Sequence, residues 1–134
     1  MNLDLFFREF YPHPIEQVWD AISTSAALAE WLMANDFEPV AGRRFVFRGE
    51  PTPLWRGWME CEVLAIEPPM RMVWSWKATD REEAGQVEIR LKAVAGGTEL
   101  TLAHTGEPDP ERRARYQSGW PGKLIALRER LSTN

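Results

Sequence analysis

The chain is poor in the residues that staple small proteins or hold metals. A single cysteine, Cys61, excludes an internal disulfide. The two histidines, His13 and His104, stand far apart, and with one cysteine they fall short of the usual ligand count of a zinc site. No metal and no cofactor is expected. Apolar runs are short: none approaches the roughly 20 residues that cross a bilayer, so membrane insertion is not expected. Met1-Asn2-Leu3-Asp4 lacks the basic stretch and apolar run of a secretory leader, which makes the cytoplasm the expected location. An excess of positive charge is also missing. The net charge of −4 opposes a nucleic-acid surface, because phosphate binding needs a concentrated field of Lys and Arg. The main basic cluster, Arg112, Arg113 and Arg115, lies beside Glu107, Asp109 and Glu111 and reads as a solvated helix face. Nucleophile-elbow, dinucleotide and phosphate-loop motifs are absent, and no catalytic set is assigned.

What the chain does have is tryptophan. Seven are present among 134 residues: Trp19, Trp31, Trp55, Trp58, Trp74, Trp76 and Trp120. Each can bury on the order of 150–250 Å² and carries one N–H that wants an acceptor. They serve either a large aromatic core or the wall of a ligand cavity, since rigid aromatics suit flat or greasy molecules. A hydrophobic fraction of 44% with 27% charged residues is ordinary globular composition, and the length suits one domain over 1–134.

The patterning reads as one strand, two short helices, a run of strands and a long final helix. Leu3 to Phe10 is a strand stopped by Pro12 and Pro14. Pro14 suits the first helical position, and Ile15, Val18, Trp19 and Ile22 follow with helical spacing. Ser25 is the expected cap of a second short helix through Leu28, Trp31 and Leu32. The period then changes to two. Phe45 and Phe47 share one face; Met59, Cys61 and Val63 another stretch of it, with Glu60 and Glu62 opposite. Pro68-Pro69 ends that strand. Met72, Trp74 and Trp76, then Val87, Ile89 and Leu91, then Leu100, Leu102 and His104, repeat the alternation. An acidic loop, Asp80 to Glu83, and a Gly96-Gly97 turn separate them. Asp109-Pro110 is a helix start. Tyr116, Trp120, Leu124, Leu127 and Leu131 form one apolar stripe, and Pro121 makes a kink or restart expected near Gly119 to Gly122. Short turns demand antiparallel pairing. The fold class is therefore α+β, a curved antiparallel sheet of about six to seven strands around a long C-terminal helix, with two short helices after the first strand.

Such a sheet gripping one helix leaves space between them, and that space is the expected site. Its walls are expected from Phe45, Phe47, Met59, Met72, Trp74, Trp76, Ile89, Leu102, His104, Trp120 and Leu124. His104 sits on the inward face and needs a partner: backbone at a strand end, an ordered water or a ligand. Glu9 shares the parity of Leu5 and Phe7 and is a second inward polar group. If the two met, both would be perturbed. Cys61 would need His104 beside it to become a nucleophile; a small core residue is the plainer reading.

Motifs along nearly the whole chain resemble a known family. They are Arg8-Glu9-Phe10 leading to Pro14, Val18-Trp19-Asp20-Ala21, Glu30-Trp31, Gly57 followed by Val63, and Glu67-Pro68-Pro69. Arg71-Met72-Val73-Trp74-Ser75-Trp76, Gly97-Thr98-Glu99-Leu100-Thr101-Leu102, and Gly119-Trp120 followed by Leu124 and Leu127 complete the set. In this order they resemble the helix-grip, or START-like (SRPBCC), superfamily, and within it the activator of heat-shock-protein-90 ATPase homologue group. The resemblance implies a cavity for a hydrophobic or aromatic small molecule, with lipid, polyketide and hormone binders among distant relatives. It brings no invariant catalytic set. The Gly119-Trp120-Pro121 step departs from the uninterrupted helix that the family implies. Three functions follow, in order: binding of an apolar or aromatic small molecule, a cyclase or aromatase acting in the same cavity through His104 or Glu9, and a chaperone-associated module. Exposed edge strands leave room for a homodimer.

Overall fold

The computed structural model describes residues 3–81, 83–108 and 110–133. The expected capping carboxylate, Asp109, and Glu82 of the acidic loop lie outside them. The chain begins with strand β1 (Leu3–Tyr11) and helices α1 (Ile15–Ile22) and α2 (Ser25–Trp31). Strands β2 (Ala34–Asn35), β3 (Arg44–Arg48), β4 (Trp58–Glu67), β5 (Arg71–Trp76), β6 (Gly85–Val94) and β7 (Gly97–Gly106) follow, and helix α3 (Pro110–Ser132) closes the fold. The seven strands form one antiparallel sheet in the order β1-β7-β6-β5-β4-β3-β2, curled as a half-barrel. Because β1 pairs with the last strand, α1 and α2 must carry the chain from one edge of the sheet to the other. Among the described residues no helix is long and apolar enough to cross a membrane.

Local chemistry shifts several expected boundaries. Pro14 precedes α1 instead of opening it: its carbonyl accepts from Gln17 and Val18 N–H. Thr24, not Ser25, caps α2 by accepting the Ala27 N–H at 3.2 Å. Ser25 instead donates to the Asn35 carbonyl, tying α2 to β2. At the β6–β7 hairpin Val94 pairs with Gly97, so the turn residues are Ala95 and Gly96, with Gly96 at φ +82°. Gly97 serves a different need, since a Cβ there would collide with the Tyr11 carbonyl.

Strand parity places the core. Phe45, Phe47, Met59, Cys61, Val63, Met72, Trp74, Trp76, Val87, Ile89, Leu91, Leu100, Leu102 and His104 all point to the concave face and are buried. In β4 a bulge interrupts the alternation. Val63 opposes Trp74 but Ala65 opposes Val73, so Leu64 is the extra residue and Ile66 comes to face Met72. Such a bulge adds bend and twist to a strand, which helps curl the sheet around α3.

Helix α3 lies on this face through Trp120, Leu124, Leu127 and Leu131. It runs through Pro121 without a break, contrary to the expected restart. The proline removes one N–H···O bond, but the apolar stripe continues in register on both sides of it, and that burial holds the two halves in one helix. The C-terminal half is fastened by side chains. Tyr11 donates to the Leu124 carbonyl at 3.0 Å, Arg128 pairs with Glu9 at 2.7 Å, and Arg130 pairs with Glu30 at 2.6 Å. Lys123 donates to the Leu32 carbonyl at the end of α2.

Candidate functional site

The aromatic residues divide into a packed centre and a wall. At the centre Trp74 is fully buried, with the rings of Phe37, Phe45 and Phe47 edge-on around it at centroid distances of 6.1, 5.9 and 5.5 Å. Phe37 was not legible as core from the sequence. It sits between β2 and β3, outside any periodic segment, and is fixed because the Asn35 side chain accepts its N–H. Trp31 belongs to the same packed layer and donates to the Ala21 carbonyl. Trp19 is also buried, and Trp58 lies half-exposed on the outer face beneath the Arg56 guanidinium.

The wall is formed by Trp55, Trp76 and Trp120. Under the N-terminal half of α3 lies a cavity of about 340 Å³. The sheet side contributes Trp55, Met59, Trp76 and Ala78, the end of α2 contributes Leu32 and Met33, and α3 contributes Tyr116, Gly119 and Trp120. Arg112, Arg115 and Lys123 complete the lining. Gly119 lines the space without a side chain, and a Cβ added to it would meet nothing within 4 Å. The volume lies at the lower end of the roughly 300–1,000 Å³ usual for small-molecule sites. The indole nitrogens of Trp55 and Trp76 are buried without an acceptor, an uncommon state for a polar group.

Of the residues expected at the site, Met59, Trp76 and Trp120 line this cavity. Phe45, Phe47, Met72, Trp74, Ile89, Leu102 and Leu124 belong to the packed core behind it. Leu32, Met33, Trp55, Ala78, Arg112, Arg115, Tyr116, Gly119 and Lys123 line it without having been singled out for it. Tyr116 was visible as part of the α3 stripe. Trp55 stands in an irregular loop, where no periodicity marks a face.

His104 lies one layer away. Its partner is a side chain of the long helix: Trp120 Nε1 donates to His104 Nδ1 at 2.9 Å. The Tyr116 ring lies 4.5 Å from the imidazole and the Trp76 ring 5.6 Å, so these two side chains stand between His104 and the larger cavity. Burial lowers its pKa to about 4, because no countercharge compensates for desolvating an imidazolium. Glu9 does not meet it. His104 pairs with Leu5 and Glu9 with Leu100, four residues along the strands, about 13 Å at the usual rise per residue. Cys61 is equally remote, three strands away in β4, and burial raises its thiol pKa.

Comparison with known proteins agrees with this architecture. Protein MLL2253 from Mesorhizobium loti superposes with a TM-score of 0.88 at 26% identity, over 98% of both chains. Protein BH1534 from Bacillus halodurans matches with a TM-score of 0.76 at 29% identity, over 94% of both chains. DynU16, a protein in the dynemicin biosynthetic locus, shares the fold at 21% identity and a TM-score of 0.84; the chain spans 48% of its length. Among curated proteins, none matches. The model of one family, described as Activator of Hsp90 ATPase homolog 1-like protein, matches residues 12–132. That match takes in α1, α2, six of the seven strands and α3, the same elements that wrap the cavity; the chain belongs to the Activator of Hsp90 ATPase homolog 1-like family.

Proposed function

We propose that the protein binds a small apolar or aromatic molecule in the cavity beneath the N-terminal half of α3, acting in the cytoplasm. One observation carries the reading: a space of about 340 Å³ walled by three tryptophans, with methionine and leucine around them. Closing such a space by collapse would recover dispersion contacts that an empty cavity forgoes, so keeping it open suits an occupant. Trp76, Trp120 and Met59 touch the ligand in this reading. Phe45, Phe47, Met72, Trp74, Ile89, Leu102, His104 and Leu124 form the packed floor that keeps those walls in position. Family membership supports it at the level of the fold.

Native mass spectrometry of freshly purified protein, followed by organic extraction, tests the proposal. A discrete added mass that disappears on denaturation is the expected result. A bare mass, together with no saturable change in tryptophan fluorescence on titration with an apolar aromatic probe, would refute it. The same spectrum distinguishes a monomer from a homodimer joined through its sheet edges.

A further inference from the structure

Charge around the cavity mouth is unevenly distributed. Most arginines of this protein are neutralised by a carboxylate: Arg8 by Glu99, Arg43 by Glu38, Arg56 by Asp80, Arg71 by Glu88 and Arg130 by Glu30. Arg81 and Arg115 make no ion pair among the described residues. Both border a second hollow of about 160 Å³, formed with Pro53, Leu54, Glu111 and Arg112. Arg112 and Arg115 also line the apolar cavity, so the two spaces share one wall. Among the described residues, the lining of that hollow sets Arg81 and Arg115, which make no ion pair, beside Arg112, with Glu111 as its one carboxylate, in a chain whose net charge is −4. The apolar cavity itself is lined by cationic and phenolic groups, with no carboxylate or imidazole among its described residues.

We infer that the ligand is an amphipathic anion: an apolar or aromatic body in the tryptophan-walled cavity, and an acidic head at Arg81 and Arg115 beside Arg112. This rests on the cavity being the binding site. The physical reason is that the tryptophan, methionine and leucine walls offer a carboxylate or sulfonate too little to replace its hydration, so the head belongs beside the arginines. At the mouth the head keeps water on one side and meets a planar fork of donors on the other. Guanidinium matches an oxyanion by two parallel hydrogen bonds, which makes arginine a better partner here than a lysine point charge.

Paired probes test the inference. Anilinonaphthalene sulfonate and N-phenylnaphthylamine share an aromatic skeleton and differ in the sulfonate. Both are titrated into the full chain and followed by probe fluorescence. The charged probe is expected to bind tighter than the neutral one, and its advantage to shrink as salt is raised. In the double variant R81Q/R115Q, affinity for the sulfonate should fall roughly tenfold, about the effect of one lost charge-assisted contact, while the neutral probe is unchanged. R44Q, remote on β3 and on the solvent side, should change neither. Equal affinity for the two probes, or a double variant that leaves the sulfonate unaffected, overturns the anionic head and leaves the cavity standing. A double variant that weakens both probes equally assigns the arginines to structure and overturns it too. Failure of both probes to bind the unaltered protein overturns the cavity reading and this inference with it.

Discussion

Trp120 in α3 donates its indole N–H to Nδ1 of His104 in β7, at 2.9 Å and out of contact with solvent. A nitrogen that accepts cannot carry a proton, so the imidazole is the neutral Nε2–H tautomer. One hydrogen bond thereby fastens the long helix to the sheet beside the cavity and makes the histidine's charge state part of the fold.

Stability should therefore fall with acid in a defined window. The folded pKa, about 4, lies below the usual 6.5. Between those values the unfolded chain takes up a proton that the folded chain refuses, so stability is lost as pH falls from about 6.5 toward 4. The loss attributable to His104 approaches about 3 kcal/mol at the acid end of that window. Urea unfolding from pH 7.5 to 4.5 measures it, and H104Q should flatten the His104 part of the slope. A dependence centred on pH 6–7, as a solvated histidine at a ligand would produce, is not expected.

Trp74 and Trp76 are two residues apart on one strand face but should behave differently. Trp74→Ala removes the centre of the aromatic cluster and should cost about 3–5 kcal/mol, with ligand affinity of the folded fraction changed less than by a substitution in the wall itself. Trp76→Phe keeps most of the packing but reshapes the cavity wall, and should weaken probe binding several-fold at a smaller cost in stability. Chemical denaturation and fluorescence titration on the same samples separate the two effects.

Gly119 gives a test that works by filling space. It is helical, lines the cavity, and has open room where a Cβ would stand. Gly119→Ala should raise stability by roughly 0.5–1 kcal/mol through helix propensity alone. Gly119→Leu should keep the protein folded while occluding the cavity, so probe binding should be lost without a fall in Tm. Retained binding in that variant would move the site elsewhere.

Cys61 should be inert in the native state. It is buried opposite Phe45 of the neighbouring strand, and burial, with a further push from the Glu60 carboxylate, raises its pKa, disfavouring the thiolate that reacts. A thiol-reactive chromogenic disulfide should label the protein only as fast as it unfolds. Rapid stoichiometric labelling of the folded protein would contradict this placement.

Much of the architecture was legible because it depends on periodicity. The two-residue alternation in Arg44–Arg48, Gly85–Val94 and Gly97–Gly106 and the three-to-four-residue spacing from Tyr116 to Leu131 each place one face inward, and the structure keeps every one of them. Where a single residue breaks the period, reading failed. Leu64 is an extra residue that only its pairing partner in β5 exposes as a bulge. Phe37 and Trp55 stand in irregular segments, with no neighbour at fixed spacing to say which way they face.

The amino-acid sequence by itself determined which residues would be apolar, which strands and helices they would build, and that the long helix must cover the sheet. Those follow from local geometry and from the need to bury one face. Whether an inward residue packs or borders open space was decided only in three dimensions. Trp74 and Trp76 have the same chemistry and the same parity; one is enclosed by Phe37, Phe45 and Phe47, the other faces the gap left beneath Gly119. A cavity is a difference between the volume that the backbone encloses and the volume that side chains from distant segments fill. No stretch of the chain holds that difference alone.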